Sequence, residues 1–313
     1  DSAEFADMES PDKILVRSDG TATYTGKDVI FQLWKFGLLE NDFAYSSFMR
    51  QPNGSDCRMT SAAGKAAAYG KVDRVVNVIG TEQAYPQKVI RKILESMGYE
   101  KQAENSVHLL YEHVGLADER FSGRHGTWIG FTADELYAEG MKRAEAKIKE
   151  EVMGDERGRI ATAVAAAAIR FSFLKTTPEK KITFRWDDAL SLDGDSAPYI
   201  MYAHARSHKI FAKAGGGKPR HLTELALAEK ELLKRIMMFG FAAFEASRHM
   251  RPHIMAEYCL DLATAYNKFY NTCPVLSAED EKLRENRLAI NFAALAVLKS
   301  SLGLLGIEAP ERM

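Results

Sequence analysis

The chain has 313 residues, 46% hydrophobic and 27% charged, with a formal net charge of −1. That balance excludes an intrinsically disordered chain, and near-neutrality by itself points to neither nucleic acid nor a membrane surface. Cys57, Cys259 and Cys273 form no even disulfide set and share no metal-ligand spacing, so a reducing, cytoplasmic setting and no metal site are expected.

The acidic opening, Asp1 to Lys13, lacks the pattern of a signal or transit peptide. No uninterrupted apolar run reaches the length of a bilayer span, so no membrane association is expected. Lys13 to Arg17 is a short strand candidate closed by the turn signal Ser18-Asp19-Gly20. Asp28 to Phe36 has helical character. The β-branched run Arg74 to Ile79, ending at Gly80, suits a buried strand of a parallel sheet. Val89 to Met97 reads as an amphipathic helix stopped by Gly98, and Val107 to Tyr111 as another strand. Thr132-Ala-Asp-Glu135 is a capping box that opens a charged helix running towards Glu151.

Beyond residue 151 the period is helical almost throughout. Helices are expected over 156–175, 197–214, 222–247, 251–272 and 278–304, with Pro178, Pro219, Pro252 and Pro274 as punctuation. The expected organisation is an α/β domain over 1–153 followed by an all-α bundle over 154–313.

Four constellations carry chemistry. Tyr24 and Asp28, four residues apart, suit a cation held by a carboxylate beside a phenol; if Asp28 opens its helix, the dipole keeps that carboxylate ionised. The alternative is an N-cap Asp with a half-buried Tyr. Gln83 follows a predicted parallel strand at its C-terminal end, where open α/β sheets bind ligands; a solvated loop Gln is the alternative. Arg120-Phe-Ser-Gly-Arg-His-Gly126 is a cationic, glycine-containing loop suited to wrapping phosphates, or else an ordinary exposed loop. By contrast, Ala214-Gly-Gly-Gly-Lys218 lacks the Ser or Thr and the leading strand of a phosphate loop and reads as a linker.

In the fourth constellation, Tyr199, Tyr202, Arg206, Lys209 and Lys213 recur at spacing 3-4-3-4, which puts two aromatics and three cations on one helix face. Ile200, Ala203 and Ile210 form an apolar neighbouring face. Between Asp195 and Glu224 there is no acidic residue. Cations interleaved with aromatics suit RNA, since phosphates take the charge and unstacked bases take the rings; the alternative is a solvated face edged by Tyr.

Taken together, Phe184-Arg-Trp-Asp-Asp-Ala-Leu190, Gly194-Asp-Ser-Ala-Pro-Tyr199, Tyr202-Ala-His-Ala-Arg206 and the terminal Leu305-Gly-Ile-Glu-Ala-Pro-Glu-Arg-Met313 resemble the anticodon-binding domain of arginyl-tRNA synthetases of the archaeal type. These are class I aminoacyl-tRNA synthetases. The resemblance implies a partial Rossmann-like catalytic domain followed by an anticodon-binding helical bundle. It implies arginine–tRNA ligase chemistry, with L-arginine, ATP (with Mg2+) and arginine tRNA as partners of a monomer.

By the same resemblance, Tyr24, Asp28 and Gln83 contact the substrate arginine. Arg120, Phe121, Ser122, Gly123, Arg124, His125 and Gly126 match the mobile loop over the ATP phosphates, with Ser122, Arg124 and His125 nearest the chemistry. Tyr199, Tyr202, Arg206, Lys209, Lys213, Tyr270 and Met313 belong to the tRNA-binding surface.

This sequence departs from the family pattern in four places. No His-x-Gly-His signature occurs in it. Arg120-Phe121 stands where Lys-Met is usual, and His125 where Lys is usual. Pro274 stands where some members carry an aromatic. The expectation is therefore the C-terminal portion of such an enzyme, which binds tRNA without forming the adenylate alone. The alternative is a non-catalytic tRNA-binding module or one subunit of a split enzyme.

Overall fold

The computed structural model describes residues 13–67, 69–116, 132–148, 154–214 and 224–313. Its contacts divide the chain into two units, residues 1–111 and 112–313.

The first unit opens with helix α1 (Tyr24–Phe36). Thr23 caps it by accepting the Gly26 N–H, and Gly37 ends it in the left-handed region at φ 69°. The helix thus starts one turn before the position expected for it, and Asp28 lies in its second turn rather than at the cap. The segment Lys13 to Arg17 is not a strand; among the described residues it forms only the bridge Val16–Ala22. Thr23 diverts its carbonyls, taking that of Leu15 through its N–H at 2.9 Å and that of Ile14 through its hydroxyl at 2.8 Å.

Strands β1 (Ala44–Arg50), β2 (Asp56–Thr60) and β3 (Lys65–Ala66) then form an antiparallel sheet in the order β2-β1-β3. This sheet was not legible in the sequence, because most of β1 and β2 is exposed and the apolar alternation that betrays a half-buried strand is missing.

A βαβ unit follows. Strand β4 (Val75–Gly80) leads through a 3-10 turn over Thr81–Gln83 into α2 (Ala84–Ser96). The short α3 (Glu100–Glu104) then delivers β5 (Ser106–Tyr111) parallel to β4, in register from Val75–Ser106 to Gly80–Tyr111. The expected parallel pairing is present. Its inner face packs Val75 with Val29, Leu33, Phe36, Ile90, Leu94 and Ala103. On the outer face Val76 and Val78 are 41% and 61% exposed.

The second unit begins with β6 (Val114–Leu116) and α4 (Ala133–Lys147), the latter closed at its start by the expected Thr132/Glu135 capping box. Helix α5 (Asp155–Leu174) and β7 (Ile182–Phe184) come next, and β7 pairs with β6 in parallel. The remaining elements are α6 (Trp186–Ala189), α7 (Ala197–Ala214), α8 (Leu227–Met237), α9 (Phe239–His249), α10 (Pro252–Thr272) and α11 (Glu281–Leu304).

The single helix expected over 222–247 is two helices. The Met238 N–H is shared between the Lys234 and Arg235 carbonyls, which tightens the chain at the junction. Fully buried Ala161, Ala165 and Ala168 keep α5 thin, so that neighbouring helices approach closely. Because α4 packs on α5, contacts change hands at Tyr111/Glu112, whereas the change of sequence period falls near residue 153. Helix α11 is long and apolar enough to cross a membrane, yet its apolar side packs against α7, α8 and α10.

Candidate functional site

The cationic face of α7 meets α10 at Arg206. The guanidinium lies 4.6 Å from the ring centroid of Tyr202, one turn back on the same helix, and 4.2 Å from that of Tyr270 on α10. Its NH1 donates to Asn267 Oδ1 at 3.1 Å. A planar cation held this way contributes roughly 0.5–1 kcal/mol per ring where water has access, and its plane stays fixed. Tyr202 and Tyr270 remain 40% and 39% exposed, so each also presents ring surface to solvent. Lys209 and Lys213 continue the face and are exposed, while Tyr199 packs against the core. On the other side Ile200 and Ala203 are fully buried, as expected.

A buried polar cluster sets this geometry from beneath. Tyr266 donates to Asn291 Oδ1 at 2.8 Å, Ser207 donates to the same residue, and Asn291 Nδ2 returns a bond to the Ser207 carbonyl at 3.0 Å. The cluster joins α7, α10 and α11, with Ser207 adjacent to Arg206 and Tyr266 adjacent to Asn267. Burial raises the Tyr266 phenol well above its ordinary range, so it stays a neutral donor.

The terminal residues run along another side of α7. His204 bonds the Pro310 carbonyl, His208 lies 3.6 Å from Glu311, and Met313 packs against the core of the unit. At about 100° per residue, His204 and His208 project roughly opposite to Tyr202 and Arg206. Among the described contacts, none joins Met313 to the Arg206 cluster.

In the first unit, Tyr24 and Asp28 share one face of α1, and both are exposed, Tyr24 at 85%. Neither the cap nor the half-buried phenol of the alternative reading is present. Lys27 Nζ stands 5.8 Å from the Tyr24 ring. Gln83 ends the 3-10 turn after β4 and is half-buried. Among the described residues, no hydrogen bond joins Gln83 to Tyr24 or Asp28. The loop Arg120, Phe121, Ser122, Gly123, Arg124, His125 and Gly126 lies outside the described residues, and so does Gly215 to Lys218.

Comparison with known proteins places both regions. Residues 200–313 match the DALR anticodon binding domain, and residues 55–186 match the catalytic domain of class I tRNA synthetases (R). The arginine–tRNA ligase of Pyrococcus abyssi is 45% identical over 99% of this chain and 50% of its own length. That of Thermococcus sibiricus is 44% identical over the same shares. The arginyl-tRNA synthetase structure from Thermus thermophilus superposes with a TM-score of 0.88 at 38% identity, covering 98% of this chain and 52% of that one. Over almost its whole length the chain is similar to arginyl-tRNA synthetases.

It spans about half the length of the relatives it matches. Its fold is a class I synthetase catalytic architecture, here with small parallel sheets, followed by the helical anticodon-binding domain. The Arg206 cluster and Met313 fall inside the anticodon-binding match, and Gln83 inside the catalytic match. Tyr24 and Asp28 precede the start of the catalytic match and are reached by the whole-chain similarity.

Reading the sequence alone missed Asn267, which orients Arg206. The available signal was its position three residues before Tyr270, which puts both on one face of α10.

Proposed function

We propose that the chain serves an arginine–tRNA ligase, supplying the surface that reads arginine tRNA and the side chains that select L-arginine. ATP, carried with Mg2+, is the third substrate. The observation that carries this reading is the Arg206 cluster, an exposed pair of tyrosines locked around a guanidinium within the anticodon-binding match. Such a surface takes unstacked bases on its rings and phosphates on Arg206, Lys209 and Lys213.

In the proposed reaction the arginine carboxylate attacks the α-phosphorus of ATP, pyrophosphate leaves, and a terminal ribose hydroxyl of the tRNA then displaces AMP from the adenylate. Asp28 would pair with the substrate guanidinium, a charged hydrogen bond worth about 1.5–3 kcal/mol, with Tyr24 beside it and Gln83 binding the same substrate. Ser122, Arg124 and His125, in the loop Arg120 to Gly126, would face the departing pyrophosphate and stabilise its charge. The reading includes a monomeric, cytoplasmic chain, in keeping with three free thiols.

The deciding experiment is a filter-binding titration of this chain with arginine tRNA and a mismatched tRNA at two salt concentrations. Preferential, salt-dependent binding of arginine tRNA is expected; an absence of salt-dependent binding sinks the reading.

One observation favours a narrower second reading, a tRNA-binding module that makes no adenylate by itself. Parallel sheets are ordinarily covered on both faces, and Val76 and Val78 leave one face of β4 open to solvent. Arginine-dependent ATP–pyrophosphate exchange by these 313 residues alone should then be absent, and robust exchange overturns this second reading.

A further inference from the structure

We propose that Lys35 is a positioning residue of the arginine site, a brace that sets α1, and with it Tyr24 and Asp28, against the β4–α2 turn carrying Gln83. The inference rests on the arginine reading of those three residues. Lys35 lies seven residues after Asp28, on the same face of α1. Its ammonium donates to Asn77 Oδ1 on β4 at 2.8 Å and reaches Gln32 Oε1 at 3.5 Å. It also sits 4.2 Å over the Phe31 ring. Asn77 Nδ2 in turn donates to Gln87 Oε1 at 2.8 Å, and Gln87 is one helical turn after Gln83 on α2. Gln32 Nε2 carries the chain of bonds on to Ser106 Oγ on β5 at 2.9 Å.

An ammonium can only donate, so it dictates the direction of this network. It turns the Asn77 oxygen towards α1, which leaves the Asn77 amide nitrogen facing Gln87. With Gln32, Asn77 and Ser106 at 2%, 8% and 5% exposure, water offers little substitute for a lost partner. Each end of the brace therefore stops within two turns of a residue assigned to arginine. Burial draws the Lys35 amine below its ordinary range while the Asp28 charge opposes that, so the two groups also feel one another.

The test is calorimetric titration of the full chain with L-arginine, comparing Lys35→Met, Asn77→Leu, the double variant, Lys35→Arg and Asp28→Asn. A misplaced carboxylate weakens binding steeply, so each of the first two should raise Kd about tenfold. The double variant should be no worse than the poorer single, because both cut one network. Lys35→Arg, which keeps a cationic donor, should recover much of the loss, and tRNA binding should not move. If Lys35→Met or Asn77→Leu fails to fold, Gln87→Ala at the half-buried rim carries the same expectation of weakened binding.

Kd within twofold of the parent for Lys35→Met, with Asp28→Asn abolishing binding, overturns the brace alone. So does additive loss in the double variant, or an unchanged Kd for Gln87→Ala where the others do not fold. No saturable binding by the parent, or none of it lost in Asp28→Asn, overturns the arginine reading and the brace with it.

Discussion

His204 Nδ1 and the carbonyl oxygen of Pro310 lie 2.9 Å apart, a bond that ties the last residues of the chain to the middle of α7. A carbonyl only accepts, so Nδ1 carries the proton, and among the described residues Nε2 is a buried acceptor without a partner. The tie is reinforced by Arg159 with Glu308 at 3.1 Å and by Arg170, which donates to the Gly306 carbonyl. Replacing His204 by Phe should cost about 1–3 kcal/mol, the penalty of an unpaired buried group. His204→Asn, whose amide nitrogen falls near the place of Nδ1, should recover part of it. Urea unfolding of the three proteins checks both.

The same histidine makes stability depend on pH. Burial holds its pKa below the ordinary 6.5, assisted by His208 and Lys299 and opposed by the Pro310 carbonyl and Glu311. Below pH 6.5 the unfolded chain takes up a proton that the folded chain refuses, so stability falls as pH drops from 6.5 towards the folded value. Above 6.5 this contribution is flat. The difference in unfolding free energy between the parent and His204→Asn should therefore shrink between pH 7.5 and 5.5; a constant difference refutes it.

Arg206→Ala should weaken tRNA binding by about tenfold, since one guanidinium organises both tyrosines and offers a phosphate contact. Arg206→Lys should not restore it, because an ammonium cannot lie flat between two rings. Lys209→Ala should instead lower the slope of log K against log salt by about one contact, with little loss at low salt. Titrations over a salt series separate the two outcomes.

Glu229 and Arg287 form a pair at 2.8 Å with side-chain exposures of 1% and 13%. Glu229 also accepts the Ala226 N–H at 2.7 Å, closing the start of α8. Arg287→Met should lower stability by about 3–5 kcal/mol, because it strands a buried carboxylate, and the double change with Glu229→Met should cost much less. Thermal and urea unfolding measure both.

Thiol labelling should be selective. Cys259 is fully buried and its thiol is pushed up to about 12, chiefly by that burial, and Cys273 is buried as well. Cys57, half-buried on β2, should be the site a maleimide modifies in the native chain at pH 7.5. All three should react after unfolding, as mass spectrometry would show.

The sequence by itself determined the elements whose signals are local. Helical period and proline punctuation located α5, α7, α10 and α11 closely, the Thr132/Glu135 box marked the start of α4, and the β-branched run after Arg74 announced a parallel strand. The 3-4-3-4 recurrence of Tyr and cations placed Tyr202 and Arg206 on one face, because helical spacing alone decides which side chains neighbour one another. Long-range partners carry no such period. Only the tertiary structure decided that Tyr270 and Asn267 close around Arg206, that Thr23 rather than Asp28 caps α1, and that Lys35 reaches across to Asn77. These outcomes turn on which donors and acceptors lose water together when elements pack, and residues as far apart as Gln32 and Ser106 settle that only once the core has formed.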